Sequence, residues 1–267
     1  MIRPDFAGSG GGARSAVMAD ELTKRALGGS PIATPGVLDA HSKRAQVRSA
    51  ERLAACLATI AGFVDAYGMI TYGVYVSFMS GNTTQTGYQA AEGLFGAAAL
   101  SGLAILFFVV GAFAGTLLVQ SAGRLARRLV FGVVAAGLAA IIGFTEPHWL
   151  SGGGAIAAIS LMMGLMNSAF SRVGAQSVSL TFVTGTLSRV GSHLAFAARR
   201  APLADADGPW DTHFRRAMML ARIWAGFLAG ALLSGAATPR FGALVLAAPA
   251  LILAALAAFD RPGRAAG

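Results

Sequence analysis

The sequence predicts an all-α polytopic membrane protein, with six transmembrane helices arranged as two inverted three-helix repeats. Three observations predict it. Only 12% of the 267 residues are charged and 55% are hydrophobic, with a mean hydropathy of +0.63, whereas a soluble domain carries about 25% charged residues. Apolar runs of the roughly 17–25 residues needed to cross a bilayer recur along the chain. The basic residues sort to one side of those runs. A disulfide scaffold is excluded, because Cys56 has no second cysteine to pair with.

Residues 1–52 read as a disordered, basic, glycine-rich cytoplasmic tail, without the apolar core and cleavage site of a signal peptide. Its end, from Lys43 to Arg52, suits anionic headgroups or serves to anchor orientation. The first expected span covers residues 53–71 and holds a single acid, Asp65. The second, 97–120, has no charge, and the third covers 129–145. The fourth is 153–171, the fifth 223–239 and the sixth 241–259, with Pro249 near its centre. Residues 77–96 lack charge until Glu92, and either turn outside the membrane or dip in and return. Residues 261–267 form a short C-terminal tail.

With the amino terminus inside, every Lys and Arg except Arg240 falls on the cytoplasmic side of these spans. The net charge of +9 is therefore a topology signal rather than a nucleic-acid surface. Both termini are expected in the cytoplasm of a bacterial cell, with the protein in its inner membrane.

The chain also resembles itself. Gly62-Phe-Val-Asp65 and Ser77-Phe-Met-Ser-Gly81 are echoed by Gly164-Leu-Met-Asn167 and Thr181-Phe-Val-Thr-Gly185, and Gly111-Ala-Phe-Ala-Gly115 by Gly226-Phe-Leu-Ala-Gly230. This divides the chain into repeats at residues 53–145 and 146–260. A unit of three spans, being odd, places its second copy upside down relative to the first. Inverted repeats are common in transporters, whose substrate sites lie where the halves meet.

Asp65 is the one acid inside any expected span, where a charge costs about 2.5–3.5 kcal/mol and usually faces a cavity or partner. Two roles are open to it. It either accepts a proton, cation or polar solute, or hydrogen-bonds Asn167 across the repeat interface. Ser80, Gly81, Asn82, Thr83 and Thr84, with Thr184, Gly185 and Thr186 in the other half, suit a helix break whose free amides bind an anion or polar group. An ordinary outer turn with a helix cap is the alternative. Gly111 and Gly115, and Gly226 and Gly230, are spaced for close helix packing.

No enzyme signature stands out. There is no metal-binding His-Glu-x-x-His helix, no nucleotide loop and no carboxylate cluster. Ser80 and His193 belong to opposite ends of different halves, and His41, His148 and His213 lack metal-ligand spacing. Neither catalysis, a cofactor nor a metal is expected. The expected partners are the lipid bilayer, a small polar solute or ion, and a second copy of the chain; nucleic acid is not among them.

Gly62-Phe-Val-Asp-Ala66, Phe78-Met-Ser-Gly-Asn-Thr83 and Thr184-Gly185 resemble the YoaK family of bacterial inner-membrane proteins over about residues 53–260. Ser80 stands where that family usually has threonine, so the hydroxyl is kept. The resemblance implies a six-span membrane protein and no particular substrate. Transport of a small polar solute or ion is the leading expectation; a non-catalytic membrane scaffold that binds partners is the rival.

Overall fold

A computed structural model describes residues 35–145, 151–169, 172–173, 176–177 and 183–259. The chain divides into two compact units, Met1–Arg44 and Ala45–Gly267. Residues 35–44 of the first are helical, and the second holds all the other described residues. Of the expected tails, residues 1–34 and 261–267 lie outside the described residues, as does His148.

The described residues are almost entirely helical. Helix α1 covers Pro35–Tyr72, α2 Met79–Ala91, α3 Phe95–Ala122, α4 Ala126–Thr145 and α5 Gly152–Ser168. After a hairpin of two two-residue strands, Arg172–Val173 and Gln176–Ser177, come α6 (Val183–Ala198), α7 (His213–Phe241) and α8 (Ala247–Phe259). Helix α1 begins well before its apolar run. Proline suits a first helical position, and residues 40–52 are rich in Ala, Arg, Lys, Gln and Glu, all good helix formers. Residues 35–52 are therefore helical rather than part of a disordered tail.

Four segments are long and apolar enough to cross a membrane: Ser42–Tyr72, Phe95–Ala122, Ala126–Thr145 and His213–Phe259. The last contains two of the six expected spans. Gly242, at φ +53°, and a 3-10 stretch over Gly242–Leu246 break it between α7 and α8. Pro249 consequently stands in the first turn of α8 rather than at mid-span, where its missing N–H would leave a gap in the helix. Helix α5, at 17 residues, ends at Ser168, short of the expected residue 171.

Leu57, Phe131, Leu138, Met163, Leu220 and Leu253, from five different helices, are fully buried within one apolar core. Phe113, Leu232 and Leu251 point outward. Helix α3 packs most extensively on α5, α4 on α8, α2 on α3, and α6 on α7. Two of the interfaces are backbone-close. Gly164 of α5 lies against the Phe108 carbonyl and Ala112 amide of α3, while Gly111 and Gly115 lie against the Leu161 and Leu165 backbone. Gly62 of α1 lies against the Phe227 carbonyl of α7, while Gly226 and Gly230 meet the Ala55 and Thr59 carbonyls. In a bilayer, where apolar side chains gain little by leaving lipid, such contacts hold helices together through van der Waals packing.

Candidate functional site

The first half's candidate residues gather around one short segment. Helix α1 ends at Tyr72, where Gly73 adopts φ +71° and its amide reaches the Met69 carbonyl at 3.0 Å. Left-handed backbone at this place is a common helix stop. The chain then runs without regular structure through Val74–Phe78 before α2 starts. Its amides would be costly if left unpaired in a low-dielectric interior.

Asp65 resolves that cost. Its Oδ1 accepts hydrogen bonds from the amides of Val76 (2.9 Å), Ser77 (2.8 Å) and Phe78 (3.3 Å), and the residue is only 3% exposed. Phe78 occupies the N-cap of α2 and makes no side-chain cap of its own. The carboxylate reaching over from α1 performs that task, at the end of the helix where negative charge is favoured.

The Ser80–Thr84 motif tightens the same segment. Asn82, fully buried, accepts from the Tyr75 amide at 3.1 Å and donates to the Tyr75 carbonyl at 2.5 Å. Gly81 leaves room for the rings of Tyr75 and Phe78, which stack edge to face with centroids 5.3 Å apart. Gln85 donates to the Gly73 carbonyl at 3.3 Å. Ser80, Thr83 and Thr84 are exposed, and the two threonine hydroxyls return to the carbonyls of Met79 and Ser80 one turn back. The helix start expected to offer free amides to an anion therefore already holds one, the protein's own carboxylate.

In the other half, Asn167 stands at the end of α5 with its Oδ1 buried and without a hydrogen-bond partner among the described residues. The Asp65–Asn167 hydrogen bond, one of the two roles open to Asp65, is not formed among the described residues. The segment following α1 folds straight back and supplies three amide donors within 11–13 residues, so it captures the carboxylate before a distant side chain can. Ser160 Oγ, two turns earlier on α5, is likewise buried and unpartnered among the described residues. Thr184 is exposed, Gly185 half-buried and Thr186 buried near the start of α6. Thr181, of the repeated motif, lies outside the described residues.

A third group, missed from sequence, clusters where α6, α7 and their connection meet. Arg216, with its side chain 3% exposed, donates to Asp211 at 2.7 Å and Asp205 at 2.9 Å. Arg215 pairs with Glu51 of α1, and its guanidinium lies 4.5 Å from the centroid of the Trp210 ring. The hydrogen bond from Arg216 holds the Asp205 carboxyl below its ordinary range. Burial pushes Asp211 up, but its bonds from Arg216 and the Asp207 amide prevail and hold it below that range. His193 of α6 and His213 of α7 share a hydrogen bond, Nδ1 to Nδ1, at 2.9 Å. The available signal was the run of Asp205, Asp207 and Asp211 followed closely by Arg215 and Arg216. Counting only basic residues for topology hid the acids that pair with them. Among the described residues no group of three or more His, Cys, Asp or Glu side chains gathers to hold a metal.

Comparison with known proteins agrees with this architecture at a coarse level. The family described as "Protein of unknown function (DUF1275)" matches residues 53–259. The chain is 30% identical over 216 residues to the UPF0700 transmembrane protein RA0705 of Rhizobium meliloti (strain 1021), covering 79% of this chain and 87% of that protein. No solved structure matches.

Proposed function

Because the chain belongs to the DUF1275 family and resembles a transmembrane protein, we propose that it is a bacterial inner-membrane protein that passes a small polar solute or ion between two inverted halves. Six crossings fit the helix lengths. Helix α5 supplies about 25 Å, and Gly242–Phe259 about 30 Å once its 3-10 turn is counted at its longer rise. Both approach the hydrocarbon thickness of about 30 Å. Helix α2, of 13 residues, reaches only about 20 Å, and α6, of about 24 Å, carries Arg189 and His193 within its run; both are read as connecting elements. The exchange of partners supports the repeat: the first helix of each half, α1 or α5, packs its glycine on the second helix of the other, α7 or α3. Both termini are on the cytoplasmic side, by the distribution of basic residues.

The observation that carries transport over a static scaffold is the pair of buried atoms on α5 without a hydrogen-bond partner among the described residues, Ser160 Oγ and Asn167 Oδ1, with Ser77 Oγ and Gln85 Oε1 likewise unpartnered in the first half. A packed interior leaves few polar atoms unsatisfied, and each such atom asks for an explanation. Spaced seven residues apart, Ser160 and Asn167 share a helix face. We assign them to the solute, with Asp65 and Asn82 as positioning residues that shape the first half around it. The scaffold alternative loses its docking surface, since the glycine faces are filled within the chain. Catalysis and cofactors form no part of this proposal.

The test is solute flux in reconstituted vesicles, beginning with a screen of small polar compounds and ions. Ser160→Ala and Asn167→Ala are expected to keep expression and lower flux of the transported compound at least tenfold. Normal flux in both variants would remove α5 from the pathway, and an absence of flux for every solute in the unaltered protein would favour the scaffold. Cysteine labelling is expected to reach Ala90 from outside and Arg199 from inside; both reached from one side would overturn the inverted topology.

A further inference from the structure

Helix α6 is, with α2, one of the two described helices that bury a single residue of their own. Of its 16 residues only Thr186 is buried. It packs on α7, and its last turns meet the start of that helix through side chains that titrate. His193 lies five residues before the end of α6, and His213 is the first residue of α7. Their Nδ1 atoms are 2.9 Å apart, and Phe196 lies against the His213 ring with centroids 5.1 Å apart.

A hydrogen bond between two Nδ1 atoms requires a proton on one and a bare lone pair on the other. The bonded pair therefore carries at most one positive charge. A proton added to the accepting nitrogen leaves two donors facing each other, and the bond is lost. We propose that His193 and His213 form a proton-operated fastening between α6 and α7, released when both imidazoles become cations. The proposal rests on the transport reading for its use: it makes α6 the element that moves at the cytoplasmic end, in response to proton concentration.

The surroundings set the direction. Among the described residues, the charged groups that act on His193 besides His213 include Arg189 from its own helix, Arg216 from α7 and Asp205 from the connection. Burial, then His213 and the two guanidiniums, hold His193 below the ordinary imidazole range, against an opposing pull from Asp205. A docked-state value below the free one means that docking is favoured at neutral pH. That preference is fully present above the free imidazole value of about 6.5 and fades as pH falls below it. The nearby Arg216 pairs with carboxylates held below their ordinary range, so they stay charged while the histidines titrate.

The experiment uses the full-length protein in nanodiscs, with Cys56→Ser and nitroxide labels on Ser188→Cys of α6 and Thr116→Cys of α3, both exposed positions. The inter-label distance distribution is measured by pulsed electron paramagnetic resonance at pH 7.5 and pH 5. The expected result is a single narrow distribution at pH 7.5, and a shifted or broadened one at pH 5. In the His193→Asn/His213→Asn chain, whose amides keep a donor and acceptor near the Nδ1 positions without titrating, the distribution is expected to be the same at both pH values. An unchanged distribution in the unaltered protein overturns the proposal, as does an equal acid shift in the double variant. No solute is needed for this measurement, so its failure leaves the transport reading to be judged by flux.

Discussion

The two halves solve the same problem with different chemistry. After α1, the irregular segment is tied down by a carboxylate that accepts three backbone amides. After α5, the matching position in sequence is Asn167, which has no charge and no partner for its Oδ1 among the described residues. The glycine contacts, by contrast, are alike: Gly62 and Gly164 each touch a backbone carbonyl of a facing helix. Packing between helices is the shared part of the design and polar fastening the divergent part. Among the described residues both halves leave buried polar atoms without partners, Ser77 Oγ and Gln85 Oε1 in the first and Ser160 Oγ and Asn167 Oδ1 in the second, so the difference lies in the charge at the two matching positions.

The largest expected effect breaks this asymmetry directly. Asp65→Leu strips the acceptor from three amides, each costing about 1–3 kcal/mol if left unsatisfied. It is expected to lower the unfolding midpoint in detergent severely or to abolish folded yield. Asn167→Ala is expected to cost far less by the same measurement, and equal losses would show that the halves are fastened alike. Gly62→Val and Gly164→Val come next. Each introduces atoms where a carbonyl already sits, at a cost of about 1–3 kcal/mol for overpacking. The two are expected to be similarly destabilising, and a harmless Gly164→Val would break the parallel.

Asp65→Asn sharpens the comparison by making the first half resemble the second in charge. Hydrogen bonds to a charged group are worth about 1.5–3 kcal/mol and neutral ones about 0.5–1.5. A moderate loss of thermal stability is therefore expected, with the fold retained. Retained flux at equal expression would confine Asp65 to a positioning role; complete loss of flux in a well-folded variant would return it to the pathway. The smallest difference is expected within the Ser80–Thr84 motif. Asn82→Ala removes two bonds from a buried site and should cost about 1–3 kcal/mol, whereas Thr84→Ala at an exposed one should stay within about 0.5 kcal/mol.

Much of the helical framework was legible because apolar runs and basic residues are one-dimensional signals. Hydropathy locates the apolar segments of α1, α3, α4, α5, α7 and α8, and an acid within such a run singles out Asp65, as the repeated motif does Asn82. The start of α1 escapes, because residues 35–52 are polar yet good helix formers, and hydropathy is blind to propensity. Analogy between repeats pairs Asp65 with Asn167, whereas its donors are backbone amides, which carry no mark in a sequence. Helices α2 and α6 escape for a related reason. Both are short and rich in Ser, Thr and Gly, so they read as connections.

The short reach of Asp65 to its donors also bears on how the protein is made. The acid leaves the ribosome before the amides of Val76, Ser77 and Phe78 do, but they follow within 11–13 residues. At about 5–20 residues per second, that is a delay of roughly one second. An acid whose partner lay in the other half would wait for about a hundred further residues while exposed to the insertion machinery. Placing the donors next in line lets the first helix and its returning segment leave the ribosome as one self-satisfied hairpin, already fit for lipid before the rest of the chain exists.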